Sequence, residues 1–162
     1  MTAYEPSEWT DFFVAAAGAS AALAGLVFVA VSINIDRILA MEGVPNRALE
    51  TVLALLGVVM VSLLMLMPEV SREVLAPALL VVVGVLTAIA MQITRLHPAP
   101  PAQGPHLSHK VLRVIALLPF AIGAISIAAE SGGGIYWIAA GVIVATMAAV
   151  MNAWVLLVEI LR

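Results

Sequence analysis

The sequence predicts an all-α fold: a polytopic bundle of transmembrane helices with five spans in a single membrane domain, residues 1–162. Composition is the first observation, because 64% of the residues are hydrophobic and only 10% are charged. A soluble domain is about 45–50% apolar and about 25% charged. Too few polar residues remain here to cover a water-soluble core. The second observation is that the apolar residues form long stretches separated by short turns, so we expect lipid to be the solvent.

Five apolar stretches approach or exceed the roughly 20 helical residues that cross a hydrocarbon core of about 30 Å. The predicted spans are residues 12–35, 48–67, 75–94, 111–129 and 135–161. Residues that favour turns separate them. Gly43 and Pro45 lie in the first break, Pro68 begins the second, and Ser131–Gly134 forms the fourth. The third break, residues 97–110, contains four prolines and is expected to be an extended connector.

Four spans are the main alternative, in which the second and third stretches form one hydrophobic unit. That arrangement would place Glu69, Arg72 and Glu73 at mid-membrane. Each charge there costs roughly 2.5–3.5 kcal/mol on insertion scales. The sequence therefore favours five spans.

The distribution of basic residues predicts the orientation in the membrane. With five spans, only Arg72 lies on one side, and six basic residues lie on the other: Arg37, Arg47, Arg95, Lys110, Arg113 and Arg162. Cytoplasmic loops carry the excess of Lys and Arg, so the N-terminus is expected outside and the C-terminus in the cytoplasm. Trp9, Tyr136 and Trp137 then lie at the outer interface, where aromatic residues anchor helices.

The first span carries the clearest pattern of small residues. Small and polar residues recur there at alternating steps of four and three, which places them along one side of a helix with a heptad-like period. We call this set the first seam: Asp11, Ala15, Gly18, Ala22, Gly25, Val29, Ser32 and Asp36. Small residues let helix backbones approach closely in lipid. Ala15, Gly18, Ala22 and Gly25 are therefore predicted helix-packing positions.

The last span has a similar pattern, which we call the last seam: Gly141, Ala145, Ala148, Asn152, Val155 and Glu159. Its predicted helix-packing positions are Gly141, Ala145 and Ala148. The first and last spans run in the same direction, so their seams are expected to face each other or a second copy of the chain. The second span has bulky apolar side chains on most sides, and we expect it to meet lipid.

A polar path is the alternative interpretation of the two seams, and its candidate residues are Ser32, Asn34, Asp36, Asn152 and Glu159. In a symmetric oligomer with the first seam at its axis, Asp36 would form a ring of carboxylates. Such a ring concentrates cations. No filter-like sequence accompanies these residues, so the pattern favours helix packing.

No catalytic, cofactor or metal site is predicted, and the chain is not expected to be an enzyme. Cysteine is absent, and neither an HExxH motif nor a phosphate-binding glycine loop occurs. His97, His106 and His109 lie in or beside the proline-rich connector. The spacing of His106 and His109 could place both on one face of a helical turn, but the third ligand that a zinc site requires is not evident. Glu50 lies in the first turn of its helix, where the helix dipole favours an acidic residue. The seven basic residues form no run, so nucleic-acid binding is not expected.

The stretch FFVAAAGASAALAGLVFVAVSINIDR, residues 12–37, resembles the opening of small bacterial multi-pass membrane proteins, some of which are described as FtsH-protease modulators. The resemblance implies the bacterial cytoplasmic (inner) membrane and an accessory role, and it supplies no catalytic residues. We therefore expect a non-enzymatic accessory or scaffold protein that self-associates, or binds another membrane protein, through small-residue helix faces. The alternative is a homo-oligomeric cation channel or small-solute transporter.

Overall fold

The computed structural model describes residues 2–41, 43–96 and 107–161, and every regular element within them is a helix. Two short 3-10 helices, Thr2–Tyr4 and Pro6–Trp9, come first. Six α-helices follow: α1 Thr10–Ile33, α2 Ile35–Ala40, α3 Val44–Met65, α4 Arg72–Leu96, α5 Leu107–Ala129 and α6 Ile135–Leu161. The all-α class predicted from composition is confirmed for these residues.

Within the described ranges, four helical segments are long and apolar enough to cross a membrane: Pro6–Ile33, Val44–Met65, Glu73–Ile93 and Ile135–Val158. In α5, the described part contributes a shorter apolar helix, Leu117–Ala129. These segments fit a membrane protein by length and composition. The fifth span and the orientation stay predictions.

The first long helix ends earlier than the predicted first span. Asn34 leaves the helical conformation (φ −110°, ψ 20°), and its backbone N–H donates to the carbonyl of Val31. Its side-chain amide donates to the carbonyl of Ala30 at 2.9 Å. An asparagine that bonds to the preceding turn competes with helix continuation, and the chain restarts as the short helix α2.

Helix α3 is the centre of the bundle, because it packs against α1, α4 and α6. Helix α5 packs between α4 and α6 and completes the group. Leu55, Val58 and Val61 of α3 are each only 1% exposed. One side of the second span therefore lies in the bundle, while Leu56 and Met60 on its other side are exposed, and its contact with lipid stays a prediction. Lipid tails are about as apolar as leucine, so bulky apolar side chains suit a helix interface as well as a lipid contact.

The main core lies among α3, α4, α5 and α6, and Phe13 of α1 reaches into it. Helices α5 and α6 approach most closely at two glycines. A Cβ atom on Gly123 would lie 3.1 Å from the backbone nitrogen of Ile138, and one on Gly141 would lie 3.0 Å from the Phe120 ring. A side chain at either position would force its neighbour to shift, so the observed close packing of α5 on α6 depends on glycine at both.

The N-terminal segment closes one end of the bundle. The Tyr4 hydroxyl accepts a hydrogen bond from the backbone N–H of Gly133 at 3.1 Å. The rings of Trp9 and Tyr136 meet edge to face, with centroids 4.8 Å apart. Gly132, Gly133 and Gly134 have φ values of +85°, +104° and +45°, a left-handed region that glycine enters without steric cost.

A cavity of about 240 Å³ at this end shows which segments meet there. It is lined by residues of the N-terminal segment, of the α3–α4 turn and of both sides of the α5–α6 turn. Tyr4, Ser71, Ile127 and Ile135 represent these segments. The N-terminal segment, the α3–α4 turn and the α5–α6 turn therefore lie at the same end of the bundle.

Candidate functional site

The first seam lies on the outside of the bundle along its whole length. All eight of its residues are exposed, from Asp11 to Asp36. The buried residues of α1 are Phe13, Ser20 and Ala24. At 3.6 residues per turn, these three lie on the opposite side of the helix from the seam. Helix α1 thus packs on α3 with one side and leaves its small-residue side uncovered.

The glycines of the first seam have no neighbour that requires their small size. A Cβ atom added to Gly18 or to Gly25 would meet nothing within 4 Å. Large apolar side chains border the seam, and Val14, Leu26 and Phe28 are exposed at 55%, 67% and 65%. The open side of α1 is therefore an apolar surface with a shallow central groove.

The last seam is placed differently. Gly141 and Ala145 are buried, Ala148 and Asn152 are half-buried, and Val155 is exposed. The Glu159 side chain lies outside the described part of the chain. Gly141 receives the ring of Phe120 from α5, so this seam serves packing within the protomer. Few residues of α1 and α6 are in contact, so the two seams do not face each other within one chain.

The candidate residues of the polar path do not converge within one protomer. Ser32 and Asp36 are exposed on α1 and α2, whereas Asn34 is half-buried at the break between these helices. The Ser32 hydroxyl donates to the carbonyl of Phe28 at 2.8 Å, as the Asn34 amide does to that of Ala30. Asn152 belongs to a different place, a cavity inside the bundle. Ser32, Asn34 and Asp36 do not line this cavity.

That cavity, which we call the bundle cavity, has a volume of about 130 Å³ and lies between α3, α4, α5 and α6. Its described lining is apolar apart from Glu50 and Asn152. Glu50 was expected in the first turn of its helix, but α3 begins at Val44 and has no acidic residue in its first turn. Asn152 was expected in the last seam or the polar path, and neither pattern indicated that it lines one cavity with Glu50. Each residue lies near a helix end that the five-span topology puts on the same side, and this was the available signal.

The bundle cavity is open at one end and closed at the other. Toward Glu50 and Asn152, the lining residues Leu53 and Ala148 are half-buried and Ala54 is exposed, whereas Ala149 is buried. At the other end, Val61, Val83 and Phe120 belong to the main core and are buried. The described residues thus form a blind pocket with a polar mouth, not a passage through the protomer.

Among the residues that the structure describes, no group of three or more His, Asp or Glu side chains is placed to hold a metal ion. His97 and His106 lie outside the described residues, as does the side chain of His109.

Comparisons of the whole chain with protein-family models, with curated proteins and with solved structures give no match. The class of protein is therefore defined by the features of its described residues, which form an all-helical bundle with four apolar helices of membrane-spanning length. Its two candidate sites are the open side of α1 and the bundle cavity.

Proposed function

We propose that this chain is a non-enzymatic accessory protein of the bacterial cytoplasmic membrane that self-associates through the first seam. The observation that carries this proposal is the exposure of all eight seam residues, glycines included. In lipid, helices associate by close packing and not by a hydrophobic driving force. A small-residue surface without neighbours in its own protomer suits the approach of a second α1.

The geometry of such a contact follows from the period of the seam. Its apolar part, Ala15 to Val29, extends over about 21 Å of helix at 1.5 Å per residue. A heptad-like repeat favours two helices that cross at about +20°. Gly18 and Gly25 would lie where the two backbones approach most closely, with Leu26 and Phe28 packing beside them.

The five-span topology is part of this proposal, and the arrangement of the turns supports it. The N-terminal segment, the α3–α4 turn and the α5–α6 turn lie at one end, as five alternating crossings require. Helix α5 has 23 residues, or about 34 Å at 1.5 Å per residue, which is enough to cross a hydrocarbon core. The positive-inside rule then places this end outside.

Cysteine cross-linking in membranes tests self-association directly, because the natural chain has no cysteine. Ala22→Cys places a single thiol on the first seam, and Ala88→Cys places one at an exposed position of α4. Mild oxidation should give a disulfide-linked dimer from Ala22→Cys and little from Ala88→Cys. Equal yields would contradict a specific contact through α1. If Ala22→Cys forms cross-links only to another protein, the first seam binds a partner and does not mediate self-association.

A cation-conducting oligomer is the second candidate function, and one observation favours it. Ser32 lies on the same side of α1 as the small residues, and Asp36 is exposed on α2, directly after the break at Asn34. An oligomer that assembles around the first seam and brings several Asp36 side chains to its axis would attract cations through their combined field. Reconstituted protein should then pass monovalent cations, and Asp36→Asn should reduce the preference for cations over anions. If liposomes that contain the protein show no cation flux, the accessory role is the only one of the two proposed functions that remains.

A further inference from the structure

The small residues of the last seam have two different surroundings. Gly141 lies against the Phe120 ring, where α5 and α6 pack closely. One and two turns further along α6, Ala145 and Ala148 line the bundle cavity. At these two positions the short side chains leave volume open inside the bundle and do not serve a close contact between helices. The cavity is therefore a product of the same pattern that packs α6 at Gly141.

The volume of the bundle cavity suits one compact molecule. It is about 130 Å³, and an engineered apolar cavity of about 150 Å³ binds benzene. Apolar side chains from three of the helices form much of its wall, among them Val58, Leu86 and Leu117. Side chains that border a cavity make fewer dispersion contacts than packed ones, so an uncharged molecule that fills the volume stabilises the bundle. A ring of about six or seven non-hydrogen atoms meets this condition.

The side-chain amide of Asn152 gives the cavity a polar group that is available to a ligand. Asn152 is half-buried and lines the cavity one turn from Ala148, about 6 Å along α6 at 1.5 Å per residue. Its amide makes no hydrogen bond to any other residue that the structure describes. An amide both donates and accepts, so it can pair with a hydroxyl group. Glu50 already interacts within the protein, and we assign it no part in binding.

We propose that the bundle cavity binds a monocyclic phenol, with the hydroxyl group at the Asn152 amide and the ring among the apolar side chains. A phenol is uncharged at neutral pH, as the tyrosine side chain is, so its burial carries no ionic desolvation cost. Phe120 contributes an aromatic ring to the lining, and aromatic pairs gain more than apolar contact alone. The site lies within a single protomer, so it does not depend on self-association through α1.

Fluorine NMR on the natural chain in detergent micelles tests the site with 4-fluorophenol as the probe. The probe should give a saturable bound signal that excess phenol removes. Nuclear Overhauser contacts should connect the bound ring with the methyl groups of Val58 and Leu117. Binding that does not saturate, or contacts confined to the exposed Leu63 and Leu80, would overturn the proposal. This measurement needs no substitution, so its result stands even if a variant fails to fold.

Two variants separate the recognition of the hydroxyl group from the recognition of the ring. Asn152→Leu should lower the affinity for 4-fluorophenol about fivefold, the effect of one neutral hydrogen bond, and should leave that for fluorobenzene nearly unchanged. Ala148→Leu should abolish the binding of both probes, because the larger side chain fills the cavity. Ala88→Leu, at an exposed position of α4, is the matched control and should change neither.

Each probe is compared between the natural chain and its variants, so partition into the detergent cancels. Equal losses of the two probes in Asn152→Leu would contradict a bond between the amide and the hydroxyl group. Full binding in a folded Ala148→Leu would place the probes outside the bundle cavity and overturn the site. A loss in Ala88→Leu as large as in Ala148→Leu would contradict binding in the cavity as well.

Discussion

Helices α1 and α6 carry similar patterns of small residues, and the bundle covers only one of them. The last seam packs against α5 at Gly141, whereas the first seam faces outward at Gly18 and Gly25. Helix α6 has neighbours on two sides, α3 and α5, but α1 packs mainly on α3. A periodic pattern of small residues therefore identifies the side of a helix that suits close packing. The number of neighbouring helices determines whether that side is buried within the protomer.

The largest expected difference between the two seams is in the stability of the protomer. Gly141→Leu should lower the free energy of unfolding by about 1–3 kcal/mol, because the site already touches the Phe120 ring. Gly18→Leu should leave it unchanged or slightly higher, since the position is open and leucine is a better helix former than glycine. Denaturant unfolding in detergent measures both. Equal losses at the two positions would contradict the comparison.

The second expected effect is on association and has the opposite pattern. Gly18→Leu and Gly25→Leu should each weaken self-association about tenfold to a hundredfold, as overpacking a close contact costs roughly 1–3 kcal/mol. Gly84→Leu is the matched control, because Gly84 is also exposed and has open space around it, but lies on α4. Energy transfer between labelled copies in liposomes measures the dissociation. If Gly84→Leu weakens self-association equally, the effect of leucine is general and not specific to the first seam.

A smaller effect concerns the polar contacts that hold the start of α6. Tyr4→Phe removes the hydrogen bond from the Gly133 N–H and should lower the free energy of unfolding by about 0.5–1.5 kcal/mol. The same substitution should not change association through the first seam, which lies elsewhere. Unfolding and energy-transfer measurements on one preparation check both statements. Weakened association would show that the two regions are coupled.

The smallest expected effect is at the end of the first seam. Asp36→Asn should change the stability of the protomer by less than about 0.5 kcal/mol, because the side chain is exposed. This substitution therefore tests conduction without a change in protein stability, and an unfolding measurement on the same variant is the control. A clear loss of stability would mean that Asp36 has a structural role that its exposure does not indicate.

The sequence was sufficient for the class of fold and for the approximate positions of the helices. Long apolar stretches and turn residues determine both, since a helix satisfies its own backbone in lipid. The break at Asn34 was not predicted, because apolar residues continue to Ile35 and the amide acts through a local hydrogen bond. Periodicity showed the sides of α1 and α6 that carry small residues, but not which side would find a neighbour.

The central position of α3 and the existence of the bundle cavity could not be predicted from the sequence, for a related reason. A helix that is apolar on every side can face lipid or protein equally well, so the side chains of α3 did not indicate its burial. Glu50 and Asn152 come from distant parts of the chain, and only the packing order of the helices brings them to one cavity. Composition and spacing carry no information about that order.

The contact between Tyr4 and Gly133 also determines the order of events during synthesis. These residues are separated by 129 positions in the chain. The ribosome must add 129 residues after Tyr4 before its partner exists, so the N-terminal segment docks only when the turn between α5 and α6 is in place. Protection of this segment from a protease then reports that this turn has taken its position in the bundle.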